Sequence, residues 1–252
     1  MRSTNARPAP GLASPDGTGK TALRQLVGGL LPGGRTQRGT VPPQTPVLLS
    51  DPRVSAVPVR YCWEPLTALG ESFGPCRALV RVSVARRLAL ARDALPQGVG
   101  LRVVDGYRTA AAQRAIISSY AAQLRTAHPA IGAAALERLI SRFVAPLAVA
   151  PHVAGAAADL TLVDTSGREL DLGTPVDATP EQSEGACYFD APQVSRQARA
   201  NREQLARVLW GAGLVNYPTE WWHWSYGDRY WALVTGAPAA LYGPVAADRV
   251  AR

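Results

Sequence analysis

The chain has 252 residues, with 27 basic against 19 acidic side chains for a formal charge of +8, and is 47% hydrophobic and 18% charged. No run approaches the roughly 18 apolar residues of a membrane-spanning helix, three cysteines cannot make a disulfide scaffold, and glycine follows no period. Membrane-spanning, disulfide-dense, collagen-like and wholly disordered classes are therefore excluded, although so basic a balance by itself invites a nucleic-acid or membrane-surface partner.

Along the chain, residues 1–50 hold six basic side chains and one acid, 8 of the 23 glycines, 7 of the 21 prolines and no aromatic residue. Such a stretch cannot bury enough apolar surface to offset the entropy of ordering it, so it reads as a flexible, disordered basic tail, with residues 51–252 forming the folded domain. Within the tail, 21–31 suits a transient amphipathic helix ended by Pro32. Gly17-Thr-Gly-Lys-Thr21 is half of a phosphate-binding loop, but Ser14 stands where the pattern requires glycine and no strand precedes it. The short, glycine-broken Val27–Leu31 run makes a poor secretory signal, so a cytoplasmic location is expected. Cys62, Cys76 and Cys187 lack any C-x-x-C pair and read as small buried hydrophobes.

In the domain, Val80, Val84, Leu88, Ala91 and Leu95 recur at helical spacing and predict a helix over 80–95, stopped near Pro96. Gly100–Asp105 reads as a strand, Thr109 as the N-cap of a helix running to about Ala127, and 133–144 as another helix. A short strand follows at 160–163, a helix at 201–211 with Gly213 near its end, and an aromatic strand at 220–226. Without regular βαβ alternation, the expected class is α+β: a central antiparallel sheet flanked by helices.

Histidine is scarce, with only His128, His152 and His223. His128 sits near a predicted helix C-terminus and is assigned a structural role. His152 and Asp159 are seven residues apart, about 10 Å along a helix and on opposite faces of a straight strand, too far to share one metal. A turn between them, with Gly155 supplying the backbone freedom, brings imidazole and carboxylate together, and the strand at 160–163 anchors Asp159. With His223 they make a three-ligand set that leaves a fourth position open for water, the arrangement of a catalytic zinc. Glu220, three residues before His223, reaches the reacting water as general base, provided that a kink or bulge follows Pro218. Arg108, in a turn after the strand at 100–105, is placed to face the carbonyl oxygen. The Trp221, Trp222 and Trp224 cluster reads first as core packing.

His-x-x-Gly-x-Ala-x-Asp (His152 to Asp159), Glu-x-x-His (Glu220 to His223) and Asp-Gly-Tyr-Arg (Asp105 to Arg108) together resemble the zinc D-alanyl-D-alanine dipeptidases of the vancomycin-resistance type. Further matches run over Leu170–Asp177 and Asn216–Trp231, so the likeness spans about 51–235. The resemblance implies one zinc per chain on His152, Asp159 and His223, with the zinc in a cleft at the sheet. It implies Glu220 as general base and acid, Arg108 against the developing charge, and a free D-amino-acid dipeptide as substrate, cleaved in the cytoplasm. Tyr107, Asp177 and Trp222 are candidates for contacting that substrate, whose removal denies glycopeptide antibiotics their target; neither nucleic acid nor membrane is expected as a partner. Ala150 replaces a common serine, Val153-Ala154 a more polar pair and Thr109 a usual proline. Two rivals to this reading are a peptidoglycan carboxypeptidase or endopeptidase with an open groove, and a basic binding protein whose tail contacts nucleic acid.

Overall fold

The structure, a computed structural model, describes residues 46–246. The Gly17–Thr21 loop pattern, the 21–31 helix and the rest of the basic segment up to residue 45 lie outside the described residues. Residues 46–50, which composition groups with the tail, belong to the folded part: Leu49 is buried and its amide donates to Tyr217 Oη at 3.1 Å.

Asp51 caps the short helix α1 (Pro52–Ala56) by accepting from the Arg53 amide at 2.9 Å. Strands β1 (Leu66–Ala68) and β2 (Leu79–Arg81) pair antiparallel, and α2 (Val82–Asp93) follows β2 without a loop. The helix expected from Val80 thus starts at Val82, because Val80 is a strand residue paired with Thr67. The helical spacing was continuous only because Val80, Val84, Leu88 and Ala91 are all buried in the same core.

Strand β3 (Val99–Asp105) leads into α3 (Ala110–Ala127), whose N-cap Thr109 accepts from the Ala112 amide at 3.1 Å. Helix α4 (Ala133–Ile140) stops short of the expected residue 144. The Ser141 carbonyl, which a longer helix would use, accepts instead from the Tyr217 hydroxyl, and a turn carries the chain to Pro146.

Strand β4 (Ala157–Asp164) is twice the expected length, since the alanines read as loop are its fully buried first residues. Helix α5 (Arg196–Gly211) begins five residues before Asn201: its first turn is polar and has no apolar period, but Ser195 caps it through the Ala198 amide at 2.9 Å. Strands β5 (Val215–Tyr217) and β6 (Glu220–Ser225) and helix α6 (Arg229–Thr235) complete the order.

Strands β3, β4, β6 and β5 lie side by side in that order, every neighbouring pair antiparallel. Ala158, Leu160 and Leu162 of β4 pack with Val84 and Leu88 of α2 and Leu205 and Leu209 of α5. Burying each such leucine contributes about 1.5–3 kcal/mol. Trp221, Trp222 and Trp224 join the same core, as default packing predicts. The α+β expectation holds, and no helix among the described residues is long and apolar enough to cross a membrane.

The cysteines divide. Cys187 is buried, but Cys62 and Cys76 are exposed. Cys62 lies in an extended segment held by its backbone to Leu241, and the Cys76 thiol donates to the Val104 carbonyl at 2.9 Å from outside the core.

Candidate active site

Between His152 and Asp159 the chain makes the required turn. The Gly155 amide donates to the His152 carbonyl at 3.0 Å, and Gly155 has φ +66°. A Cβ there would lie 2.4 Å from Leu66 Cδ2, so both conformation and space require glycine. The turn feeds β4, where Asp159 pairs with Asp105 of β3 on one side and His223 of β6 on the other. Three adjacent strands therefore set Asp105, Asp159 and His223 in one row.

His152 Nδ1 lies 2.6 Å from the Gly106 carbonyl, an acceptor that requires the hydrogen on Nδ1 and leaves the Nε2 lone pair free. That Nε2 is 3.1 Å from His223 Nδ1 and 3.2 Å from Asp159 Oδ2, while His223 Nδ1 is 3.0 Å from Asp159 Oδ1. Donors about 2.0–2.2 Å from a tetrahedral zinc sit roughly 3.3–3.6 Å from one another, so the three atoms need only a slight expansion to hold one. All three side chains are buried, and the set suits a divalent cation.

A bulge places Glu220. Asn216 of β5 pairs with Trp224, but the next residue, Tyr217, pairs with Glu220, so β6 residues 221–223 have no partner on β5. Asn216 Nδ2 fills the gap by donating to the carbonyls of Glu220 at 2.8 Å and His223 at 3.0 Å. In a straight strand, residues three apart are about 10 Å distant on opposite faces. Here Glu220 Oε2 lies 3.7 Å from His223 Nδ1.

Charge in the site is tightly coupled. Burial pushes the Glu220 carboxyl well above the ordinary carboxylate range, and the Asp159 charge adds to this while Arg108 opposes it. Burial also acts to raise Asp159, but His152 and His223 overcome it and hold Asp159 well below its usual value. Arg108 donates from Nε to Asp105 Oδ2 at 2.5 Å and from Nη2 to Asp159 Oδ2 at 3.0 Å.

These groups line a cavity of about 320 Å³, room for roughly ten waters. Its polar end holds His152, Asp159, His223, Glu220, Arg108 and Asp177, with Trp222 in the wall. Asp177 sits at the rim with φ +64°; its carboxyl is raised by burial and then by the Asp159 charge. Of the expected site residues only Tyr107 is absent from the lining. Its amide is tied to the Leu79 carbonyl at 2.7 Å and its hydroxyl feels Arg81, so it belongs with the β1–β2 hairpin.

Three contributors escaped sequence reasoning. Asp105 lies inside the Asp-Gly-Tyr-Arg string but acts as the second anchor of Arg108. Asn216 lies inside the aromatic motif, where no side-chain pattern announces a bulge. Gln113, buried on α3, donates from Nε2 to the Ala145 carbonyl at 2.9 Å and lines the cavity beside Ile116 and Phe143, with no partner for Oε1 among the described residues. A polar residue on the core-facing side of α3 was its only sequence signal.

A family model described as D-ala-D-ala dipeptidase matches residues 60–235. The chain is 35% identical over 81 residues to a D-alanyl-D-alanine dipeptidase of Synechocystis sp., covering 29% of this chain and 33% of that protein. It is 38% identical over 67 residues to a D-alanyl-D-alanine dipeptidase of Escherichia coli, covering 27% and 33% respectively. The chain thus spans about a third of the length of these relatives. The family match extends over well more than half of the chain and contains every residue of the cluster, so the chain belongs to the D-ala-D-ala dipeptidase family.

Proposed function

We propose that the chain is a zinc-dependent dipeptidase that hydrolyses D-alanyl-D-alanine or a closely related D-amino-acid dipeptide. The observation that carries this reading is the meeting of His152 Nε2, His223 Nδ1 and the Asp159 carboxylate in one cavity with Glu220 and Arg108. Zinc held by those three ligands would supply a Lewis acid that lowers the pKa of water toward ~7 and polarises a carbonyl. Glu220, held above the usual carboxylate range, takes a proton at Oε2 from the attacking water and delivers it to the leaving amine. Arg108 has Nε and Nη2 committed to Asp105 and Asp159, which leaves Nη1 to meet the negative charge that develops on the carbonyl oxygen.

Substrate size and charge support the same reading. A cavity of about 320 Å³ is at the small end for ligand sites and suits a dipeptide with methyl side chains. Its carboxyls, Asp105, Asp159, Asp177 and Glu220, outnumber its one guanidinium. That excess favours a metal cation together with the free ammonium of an unblocked dipeptide, with Asp177 at the rim as the ammonium's partner and Trp222 as an apolar wall.

The test is release of free amine from D-Ala-D-Ala by the purified, zinc-loaded chain. Cleavage of the D,D-dipeptide with L-Ala-L-Ala untouched is expected, and no turnover on any D,D- or L,D-dipeptide overturns the reading. A second reading, cleavage at the end of a longer peptide, draws on a more open recess over 173–186 that shares Asp177 with the cavity. An N-acetylated peptide ending in D-Ala-D-Ala separates the two, because it is a substrate only under the second.

A further inference from the structure

The segment 173–189 contains no helix or strand, yet Asp177 of this segment lines the cavity and its later residues brace the strand that carries Glu220. Both ends are fixed. At the first, Trp221 Nε1 donates to Thr174 Oγ1 at 2.8 Å. At the second, the Trp221 amide donates to the Cys187 carbonyl at 3.0 Å and the Phe189 amide to the Pro218 carbonyl at 2.9 Å. The buried Arg202 guanidinium adds bonds to the carbonyls of Ala186 at 2.8 Å and Tyr188 at 2.6 Å.

Between those ends the chain arches, and Thr179 stiffens the arch. Its amide donates to Gln182 Oε1 at 3.1 Å while its hydroxyl accepts from the Gln182 amide at 3.1 Å, the reciprocal pattern of a capping box. The Gly185 amide closes the turn on the Pro180 carbonyl at 2.9 Å. Residues 179–185 therefore move as a unit, and Asp177 lies two residues before it. With φ +64°, Asp177 has a backbone conformation that a residue other than glycine keeps only where its surroundings hold it.

Glu181, inside that unit, reaches a different part of the cavity wall. Its Oε2 accepts from the Tyr120 hydroxyl of α3 at 2.5 Å, and its Oε1 lies 3.6 Å from Arg142 Nη1, while Arg142 Nε donates to Tyr188 Oη at 2.6 Å. The Tyr120 ring is buried and meets the ring of Phe143, a cavity-lining residue, edge-on at 5.1 Å. Its hydroxyl is thus a fixed donor, and burial followed by the Glu181 bond raises its pKa and keeps it protonated. The ion pair with Arg142 is partly exposed and alone contributes little; the short, charge-assisted bond from a buried ring is the stronger hold.

We infer that Glu181 is a positioning residue for substrate binding: by joining Tyr120 and Arg142 it holds the 177–185 arch to the wall that carries Phe143, and so fixes Asp177 where the ammonium of the dipeptide meets it. The inference rests on the dipeptidase reading above, in which Asp177 is the ammonium's partner.

Tyr120→Phe and Glu181→Ala release the tie from opposite sides, the first by removing one hydroxyl from a ring that stays packed. In the zinc-loaded full chain each is expected to raise KM for D-Ala-D-Ala about tenfold, with kcat within about twofold and zinc content unchanged. Calorimetric affinity for the dipeptide, read in a Glu220→Gln background where turnover is slow, should fall by the same factor. The double variant should be no worse than either single one, and Tyr120→Phe should add nothing once Asp177→Asn has removed the ammonium's partner. Wild-type KM in either single variant overturns the inference and leaves the dipeptidase reading standing. So does a fall in kcat in place of the rise in KM, or a Tyr120→Phe effect of full size in the Asp177→Asn background. A wild-type chain that turns over no D,D- or L,D-dipeptide overturns both.

Discussion

Strand β4 sets two kinds of burial back to back. On one side Ala158, Leu160 and Leu162 face α2 and α5, where nothing but shape and area is required. On the other, Asp159 is equally buried but lies between two imidazoles and a guanidinium. The apolar side stabilises the fold through the area it removes from water and tolerates exchange among residues of similar volume. The polar side gathers lone pairs and carboxyls that must satisfy one another, so a small change there alters chemistry before it alters stability.

That contrast can be broken from both sides. Leu160→Ala, on the apolar side, should cost about 2–5 kcal/mol by leaving a cavity in a fully buried position, read as a lower urea midpoint with the slope unchanged. Asn216→Ala should act on the polar side: releasing the bulge lets Glu220 drift from His223, and kcat should fall roughly ten- to hundredfold while zinc affinity changes less.

Glu220→Gln should stabilise the metal-free protein. The folded state raises the Glu220 pKa above its unfolded value of about 4.3, so the folded state binds the extra proton. This group's contribution is fully present below the unfolded pKa and is lost as pH rises through the folded one. A neutral glutamine escapes that loss, so the gain in melting temperature should be clear at pH 8 and vanish near pH 4. Ser195→Ala, far from the site, should cost only about 1 kcal/mol through the lost cap of α5 and leave the kinetics unaltered.

How far the sequence could be read follows the same division. Helix α3 was legible at both ends because Thr109 caps it and its alanine-rich composition persists to Ala127. The turn at Gly155 was legible because two ligands seven residues apart demand it. Strands β1, β2 and β5, three residues each, are too short to show a period of two, and β2 was absorbed into the helix that follows it. Strand β4 was read at half its length because Ala157 and Ala158 carry no β-branched signal, although both are fully buried. Tyr107 was drawn toward the cavity by its neighbour Arg108, but successive residues of an extended segment point to opposite sides. Asn216 acts through a single side-chain nitrogen across a bulge, which no spacing rule encodes.

The central claim is that His152, Asp159 and His223 hold a metal while Glu220 moves protons without holding it. Zinc content measured beside D-Ala-D-Ala turnover in Glu220→Gln and His223→Ala tests this most directly. Glu220→Gln should retain one zinc per chain and lose about 10²–10⁴-fold in kcat, whereas His223→Ala should lose both zinc and activity. Loss of zinc from Glu220→Gln would contradict the account, because Glu220 would then be a ligand and not the base.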